Sequence, residues 1–226
     1  VVVRPHKGID IRAAIGTDLY AVNTGKMTFK TFTGGGYGVE LIADNGLKAR
    51  YFHMSPIVMQ PSQQPFTSAY MEAYTKANKY ATEDHKYRAS VQSINKEVAK
   101  LDSTIKALTK ENQKIQKTKE WVSGGASRAK LQPKFDENNK KIKEVSTEKL
   151  LKMASISSIT VPVKPSSPFY LNIGQTVDVK GGDFIGFSSN TSNAGTTQSV
   201  LPPHLHLEVF DDQNKPTIPA DFLTLY

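Results

Sequence analysis

The sequence contains no cysteine, a single tryptophan and no run of about 18 consecutive apolar residues. Without cysteine there is no disulfide framework from which a redox compartment could be read. Without a long apolar run, no transmembrane helix is expected, and no signal peptide is visible. Hydrophobic residues make up 38% of the 226 residues. That fraction is low for a single globule and indicates a segment that lies outside the core.

The positive charge of the chain is concentrated in one segment. Residues 61–165 hold 20 Lys and Arg against 11 Asp and Glu, whereas the remainder holds 9 against 10. Such a segment either attracts an anionic partner or is a solvated helical surface. The second interpretation is favoured, and the lysines are interleaved with glutamates. Since no aromatic stacking platform or recognised motif accompanies them, no nucleic-acid partner is expected.

Two sequence periods divide the chain. Short stretches with period two and turn signals such as Asn45-Gly46 fill residues 1–60 and return after residue 162. Between them the period becomes helical. We therefore predict an α+β fold. Residues 1–60 and 162–226 form a discontinuous domain with an antiparallel β-sheet, and residues 61–161 form an inserted helical, coiled-coil arm.

The inserted segment predicts two antiparallel helices. Apolar residues recur from Phe66 to Ile115 at alternating spacings of four and three, which is a heptad seam. A break at 123–127 precedes a second helical stretch, whose apolar residues are Leu131, Phe135, Ile142, Val145, Leu150 and Met153. The longer first helix needs a further surface for Phe66, Tyr70, Tyr74 and Tyr80, on the β domain, on itself or on another chain. Self-association through residues 66–155 is one expectation. Asn112 occupies a seam slot, either as a register device or as a tolerated defect, and His85 is interpreted as a surface histidine.

The most informative stretch is His204-Leu205-His206-Leu207-Glu208-Val209, which alternates strictly. In a strand, this spacing puts His204, His206 and Glu208 on one face and the apolar residues on the core face. Near the start of the chain, His6 and Asp10 are four residues apart. Both are good zinc ligands, and Gly8 permits the chain to curve so that they approach one ion. Three protein ligands plus an open position characterise catalytic zinc, and the usual cysteine ligands of structural zinc are missing.

These motifs together resemble the lysostaphin/LytM-type zinc metallopeptidases. The matching pieces, in order, are His-Lys-Gly-Ile-Asp at 6–10, Tyr-Phe-His-Met-Ser at 51–55 and His-Leu-His at 204–206, with glycine-containing pieces between them. The resemblance covers about residues 4–60 and 166–210 and implies a LytM-type antiparallel β-sheet core. Two features depart from the family. The chain opens almost at the first histidine, which predicts a fragment of a longer chain or an unusual start. The loop before Pro203 carries extra residues, about 196–202.

The resemblance implies a role for each matching residue. His6, Asp10 and His206 match the ligands of Zn²⁺, whereas His53 and His204 match the two histidines that assist catalysis. Zinc lowers the pKa of bound water to about 7 and polarises a carbonyl. A histidine near its ordinary pKa of about 6.5 can move the water's proton to the leaving amine. Which of the two histidines is the base stays open.

The implied function is zinc-dependent hydrolysis of peptide bonds in bacterial peptidoglycan. The helical arm would regulate access or mediate assembly, and the protein would be associated with a phage tail and virion or with the bacterial periplasm and envelope. The alternative is a non-catalytic structural or wall-binding component of a larger assembly.

Overall fold

The computed structural model describes residues 8–61, 67–191 and 202–217. Their antiparallel sheet contains nine strands, and six of them run in the order β1-β8-β5-β4-β3-β6. Strand β2 pairs with β7, β7 also pairs with β5, and β9 pairs with β8. In chain order the strands are β1 (Ile9–Arg12), β2 (Asp18–Tyr20), β3 (Gly25–Phe32), β4 (Gly36–Ala43), β5 (Lys48–Val58), β6 (Thr176–Val179), β7 (Phe184–Ser188), β8 (His204–Phe210) and β9 (Pro216–Thr217). The helices are α1 (Ser68–Gln116), α2 (Lys119–Ser123) and α3 (Gly125–Ser157). The predicted α+β fold is confirmed.

Alternating residues of the strands build the main core. In β3, Met27 and Phe29 are fully buried, and in β8 Leu207 and Val209 face the same cluster. The polar residues between them point the other way, as a half-buried sheet requires. Tyr51 is buried in this core, where its hydroxyl donates to the carbonyl of Tyr20 at 3.1 Å. The core thus fixes the face of β8 that carries the histidines.

A second core forms where the first turns of α1 pack on the sheet. Tyr70, Ala73 and Ala77 are buried against Phe184 and Phe187 of β7. Polar contacts reinforce the packing. The hydroxyl of Tyr74 donates to Asp18 Oδ1 at 2.8 Å, Asn78 Nδ2 donates to the carbonyl of Gly16 at 3.0 Å, and the hydroxyl of Tyr170 donates to the carbonyl of Ala73 at 2.7 Å. The unmatched aromatic residues Tyr70, Tyr74 and Tyr80 pack on the β domain, which is one of the three surfaces expected for them. Phe66 lies outside the described residues.

Residues 90–160 form a separate compact unit. In it the rest of α1 runs antiparallel to α3, because Asp102 binds Lys149 at 2.6 Å whereas Glu97, earlier in α1, binds the later Lys152 at 2.5 Å. Asn112 lies in the interface, where its Oδ1 accepts from Asn138 Nδ2 at 2.9 Å. This residue pairs the two helices at one register.

Leu150 and Met153, two apolar residues of the predicted second helical stretch, do not face α1, since they are 66% and 49% exposed. The positions of α3 that face α1 follow heptad spacing. They include the buried Asn138 and continue with Ile142, Val145, Lys149 and Lys152. The two lysines occupy the slots that face α1 because acidic partners on that helix neutralise them. Leu150 and Met153 are each one residue further along and are therefore turned away.

The other compact unit comprises residues 1–89 and 161–226. The boundary between the two units therefore lies inside α1, later in the chain than the predicted domain boundary at residue 61. The reason is that the first turns of α1 pack on β7. The division into a peptidase domain and an inserted arm stays a prediction. Among the described residues, no helix is long and apolar enough to cross a membrane.

Candidate active site

The pairing of β1 with β8 places Asp10 directly beside His206. These residues are partners in the antiparallel register, as are Arg12 and His204. Asp10 Oδ1 lies 2.8 Å from His206 Nδ1 and 3.8 Å from His204 Nε2. His206 Nε2 is 3.5 Å from Glu208 Oε1. Residues 196 positions apart thus bring an oxygen and a nitrogen donor together, a pair suited to zinc.

At Gly8, the backbone lies close to Leu207 and to the ring of His206. A Cβ atom at residue 8 would be 2.4 Å from the carbonyl oxygen of Leu207 and 3.0 Å from His206 Nε2. Close approach, rather than an unusual φ, therefore requires glycine here. His6, the first predicted ligand, lies outside the described residues. The donors that are described fit the predicted zinc site, with His6 needed to complete its three protein ligands.

His53 sits at the point where β5 changes partners. Phe52 pairs with His206 of β8, whereas Met54 pairs with Ser188 of β7. The backbone of His53 has a φ of 61°, an uncommon value for a residue with a side chain. Its amide donates to the carbonyl of Gly35 at 2.8 Å, and its carbonyl accepts from the Ser189 amide at 2.8 Å. This strained backbone, which is typical of functional sites, turns the imidazole towards β8. Its ring centroid lies 4.6 Å from that of His204 and 6.3 Å from that of His206.

Backbone carbonyls orient the rings of both predicted assisting histidines. His53 Nδ1 lies 2.5 Å from the carbonyl oxygen of Thr191, and His204 Nδ1 lies 2.7 Å from that of Pro202. Since a carbonyl only accepts, Nδ1 carries the hydrogen in each ring, and the lone pair of the neutral ring lies on Nε2. Each ring can therefore accept or return a proton at Nε2.

Burial lowers the pKa of His53, and the nearby His204 and His206 add to the effect, while the hydrogen bond to Thr191 and the charge of Asp10 oppose it. We expect its ring to titrate below about 6.5 in NMR of metal-free protein. Because the pKa of His53 is lower in the folded chain than in the unfolded chain, its full contribution to the free energy of unfolding is present above about pH 6.5. That contribution is lost as the pH falls through the folded-state pKa, because the unfolded chain binds the proton more readily. An NMR titration midpoint of His53 above pH 6.5 would contradict the expected lowering of its pKa.

The structure brings four of the five predicted site residues into one group: Asp10, His53, His204 and His206. Within residues 8–61, 67–191 and 202–217, no three metal-ligand side chains converge closely enough to hold an ion by themselves. The metal, catalytic and ligand roles of all five residues stay predictions. The extra loop residues at 196–201 also lie outside the described part.

Two contributors to this region, Thr191 and His85, carry no functional signal in the sequence. Thr191, whose carbonyl orients His53, gave no signal because any residue supplies a carbonyl. His85, predicted to be a surface histidine, is half-buried, with Nδ1 3.1 Å from Asn190 Oδ1. Its position in a helix, without a motif, gave no indication of that contact.

The sequence model of peptidase family M23 matches residues 4–85. This range contains His6, Asp10 and His53, while His204 and His206 lie beyond it. The match confirms the resemblance to LytM/lysostaphin-type peptidases. No curated protein matches the chain.

Proposed function

We propose that this chain, which carries a peptidase family M23 region at residues 4–85, is a zinc-dependent endopeptidase that hydrolyses peptide bonds in bacterial peptidoglycan. One observation carries the proposal. Asp10 Oδ1 and His206 Nδ1 lie 2.8 Å apart beside the rings of His53 and His204. A carboxylate and an imidazole would bind the metal, and two further imidazoles would stand next to the scissile bond.

His6, Asp10 and His206 would hold the ion. When bound, zinc supplies a hydroxide near neutral pH and polarises the scissile carbonyl. His53 and His204 present Nε2, so one accepts the proton of the attacking water and passes it to the leaving amine. The other, once protonated, donates to the oxygen on which charge develops. The carbonyls of Thr191 and Pro202 keep a hydrogen on Nδ1 of each ring, so Nε2 is the atom at which either ring gains or loses a proton.

The activity is tested on defined cell walls. We expect the purified protein to release new amino groups without new reducing sugars, because it cuts peptides rather than glycans. A chelator should abolish the release, and Zn²⁺ should restore it. The muropeptide products identify the bond that is cut. Wall binding with no release of amino groups would instead favour a non-catalytic structural component.

We also propose that the helical unit either restricts access to the site or joins the enzyme to a larger assembly. Its support is that residues 90–160 form a compact unit with ion pairs of their own, such as Asp102–Lys149. Replacing 90–160 by a flexible linker leaves the turns of α1 that pack on β7. Faster hydrolysis would identify a lid, whereas unchanged hydrolysis with lost assembly would identify a scaffold. For a wall hydrolase we propose a phage tail or the bacterial envelope as the location.

A further inference from the structure

We propose that the first part of α1 positions His53 through the segment Ser189–Thr191, so that the helix after β5 supports the active site. The inference rests on the proposed function, because it assigns His85 and Arg88 as positioning residues for a predicted catalytic histidine. It does not depend on the role of the helical unit at 90–160.

The support begins with the contacts between α1 and the segment after β7. His85 Nδ1 donates to Asn190 Oδ1 at 3.1 Å. One turn further along α1, Arg88 Nη2 donates to Ser189 Oγ at 3.3 Å. The guanidinium is itself held by Asp84, whose Oδ2 accepts from Arg88 Nε at 2.8 Å. Arg88 and Asp84 are only 12% and 16% exposed, so water screens the pair less than at an open surface.

The same segment contacts His53 on its other side. Ser189 donates its amide to the carbonyl of His53, and the carbonyl of Thr191 accepts from His53 Nδ1. Thr191 is fixed in turn, because its hydroxyl donates to the carbonyl of Met54 at 2.8 Å and accepts from the amide of Tyr37 at 3.1 Å. The segment therefore holds both the backbone and the ring of His53.

Burial explains why this segment needs partners from α1. Ser189 and Asn190 are fully buried and Thr191 is 5% exposed, although all three are polar and follow the end of β7. Buried polar groups require hydrogen-bond partners. His85 and Arg88 supply such partners from a helix that is anchored by Tyr74 and Asn78. A shift of the segment would displace the Thr191 carbonyl and rotate the imidazole of His53.

Three variants of the full chain separate positioning from general stability. His85→Leu removes the donor, His85→Gln keeps an N–H group that can reach Asn190, and Lys86→Leu changes an exposed neighbour on α1. We expect His85→Leu to lower kcat about tenfold with little change in KM, since small misplacements of catalytic groups are costly. His85→Gln should recover most of the loss, and Lys86→Leu should match the parent.

A spectroscopic readout keeps the test independent of the proposed function. In metal-free protein, the ¹⁵Nδ1 and ring-proton signals of His53 should shift in His85→Leu but not in His85→Gln or Lys86→Leu. Ser189→Ala, which leaves α1 unchanged, should shift them in the same sense. It also provides the test if His85→Leu does not fold. Unchanged His53 signals in His85→Leu and Ser189→Ala would overturn the inference, as would a His85→Leu defect that glutamine does not relieve. If the parent hydrolyses no peptide, the proposed function fails while the NMR result still decides the inference.

Discussion

His206→Ala is expected to abolish hydrolysis of peptidoglycan peptides while the fold remains intact. The imidazole projects from β8 beside Asp10, on the face opposite the core residues Leu207 and Val209. Its loss would remove one of the three predicted zinc ligands and the ring nitrogen that lies 2.8 Å from Asp10 Oδ1. We expect kcat/KM to fall at least about 1,000-fold, which corresponds to about 4 kcal/mol of transition-state stabilisation.

The measurement combines the rate of amino-group release with metal content determined by mass spectrometry. Lys215→Ala is the matched control, because Lys215 is exposed in the turn that follows β8. The control should bind one zinc ion per chain and retain full activity. Circular dichroism should be the same for both variants and the parent. If His206→Ala kept its zinc and its rate, the assignment of ligands would be wrong.

The largest effect on stability is expected for Phe187→Ala. Phe187 is fully buried between α1 and the sheet, with its ring centroid 5.1 Å from those of Tyr74 and Phe184. Removing the ring forfeits its transfer free energy and leaves a cavity where the first turns of α1 dock. Phenylalanine-to-alanine changes at such positions lower the free energy of unfolding by about 3–5 kcal/mol.

Urea unfolding monitored by circular dichroism measures this loss. The urea concentration at the midpoint should fall, while the dependence of the free energy of unfolding on urea concentration stays the same. Ile173→Ala is the control, since this apolar side chain is 57% exposed and its truncation should change stability by no more than about 0.5 kcal/mol. Equal midpoints for the two variants would show that α1 does not depend on the second core. A reduced midpoint for Phe187→Ala alone would confirm that the helix is part of the folded β domain.

Periodicity in the sequence predicted the strands and the two long helices because it is a local property. Alternation along residues 204–210 predicted which side chains of β8 face the core, and the seam from Phe66 to Ile115 predicted α1. The positions of Leu150 and Met153 show what the pattern within one helix leaves undetermined. Hydrophobicity favours those residues for the interface, whereas the lysines beside them take the slots because Asp102 and Glu97 lie across from them. The hydrophobic pattern of α3 alone does not reveal which charged residues of α1 lie opposite it.

By itself, the sequence determined the α+β class, the two antiparallel helices and the set of histidines and aspartate that resembles a zinc peptidase. Only the tertiary structure decided that Asp10 lies beside His206, that β5 bends at His53, and that α1 reaches Ser189 and Asn190. These contacts join residues about 100 to 200 positions apart, and each depends on the register of strands and the docking of a helix. Local propensity carries no such information, because strand register and helix docking are fixed only when the cores pack.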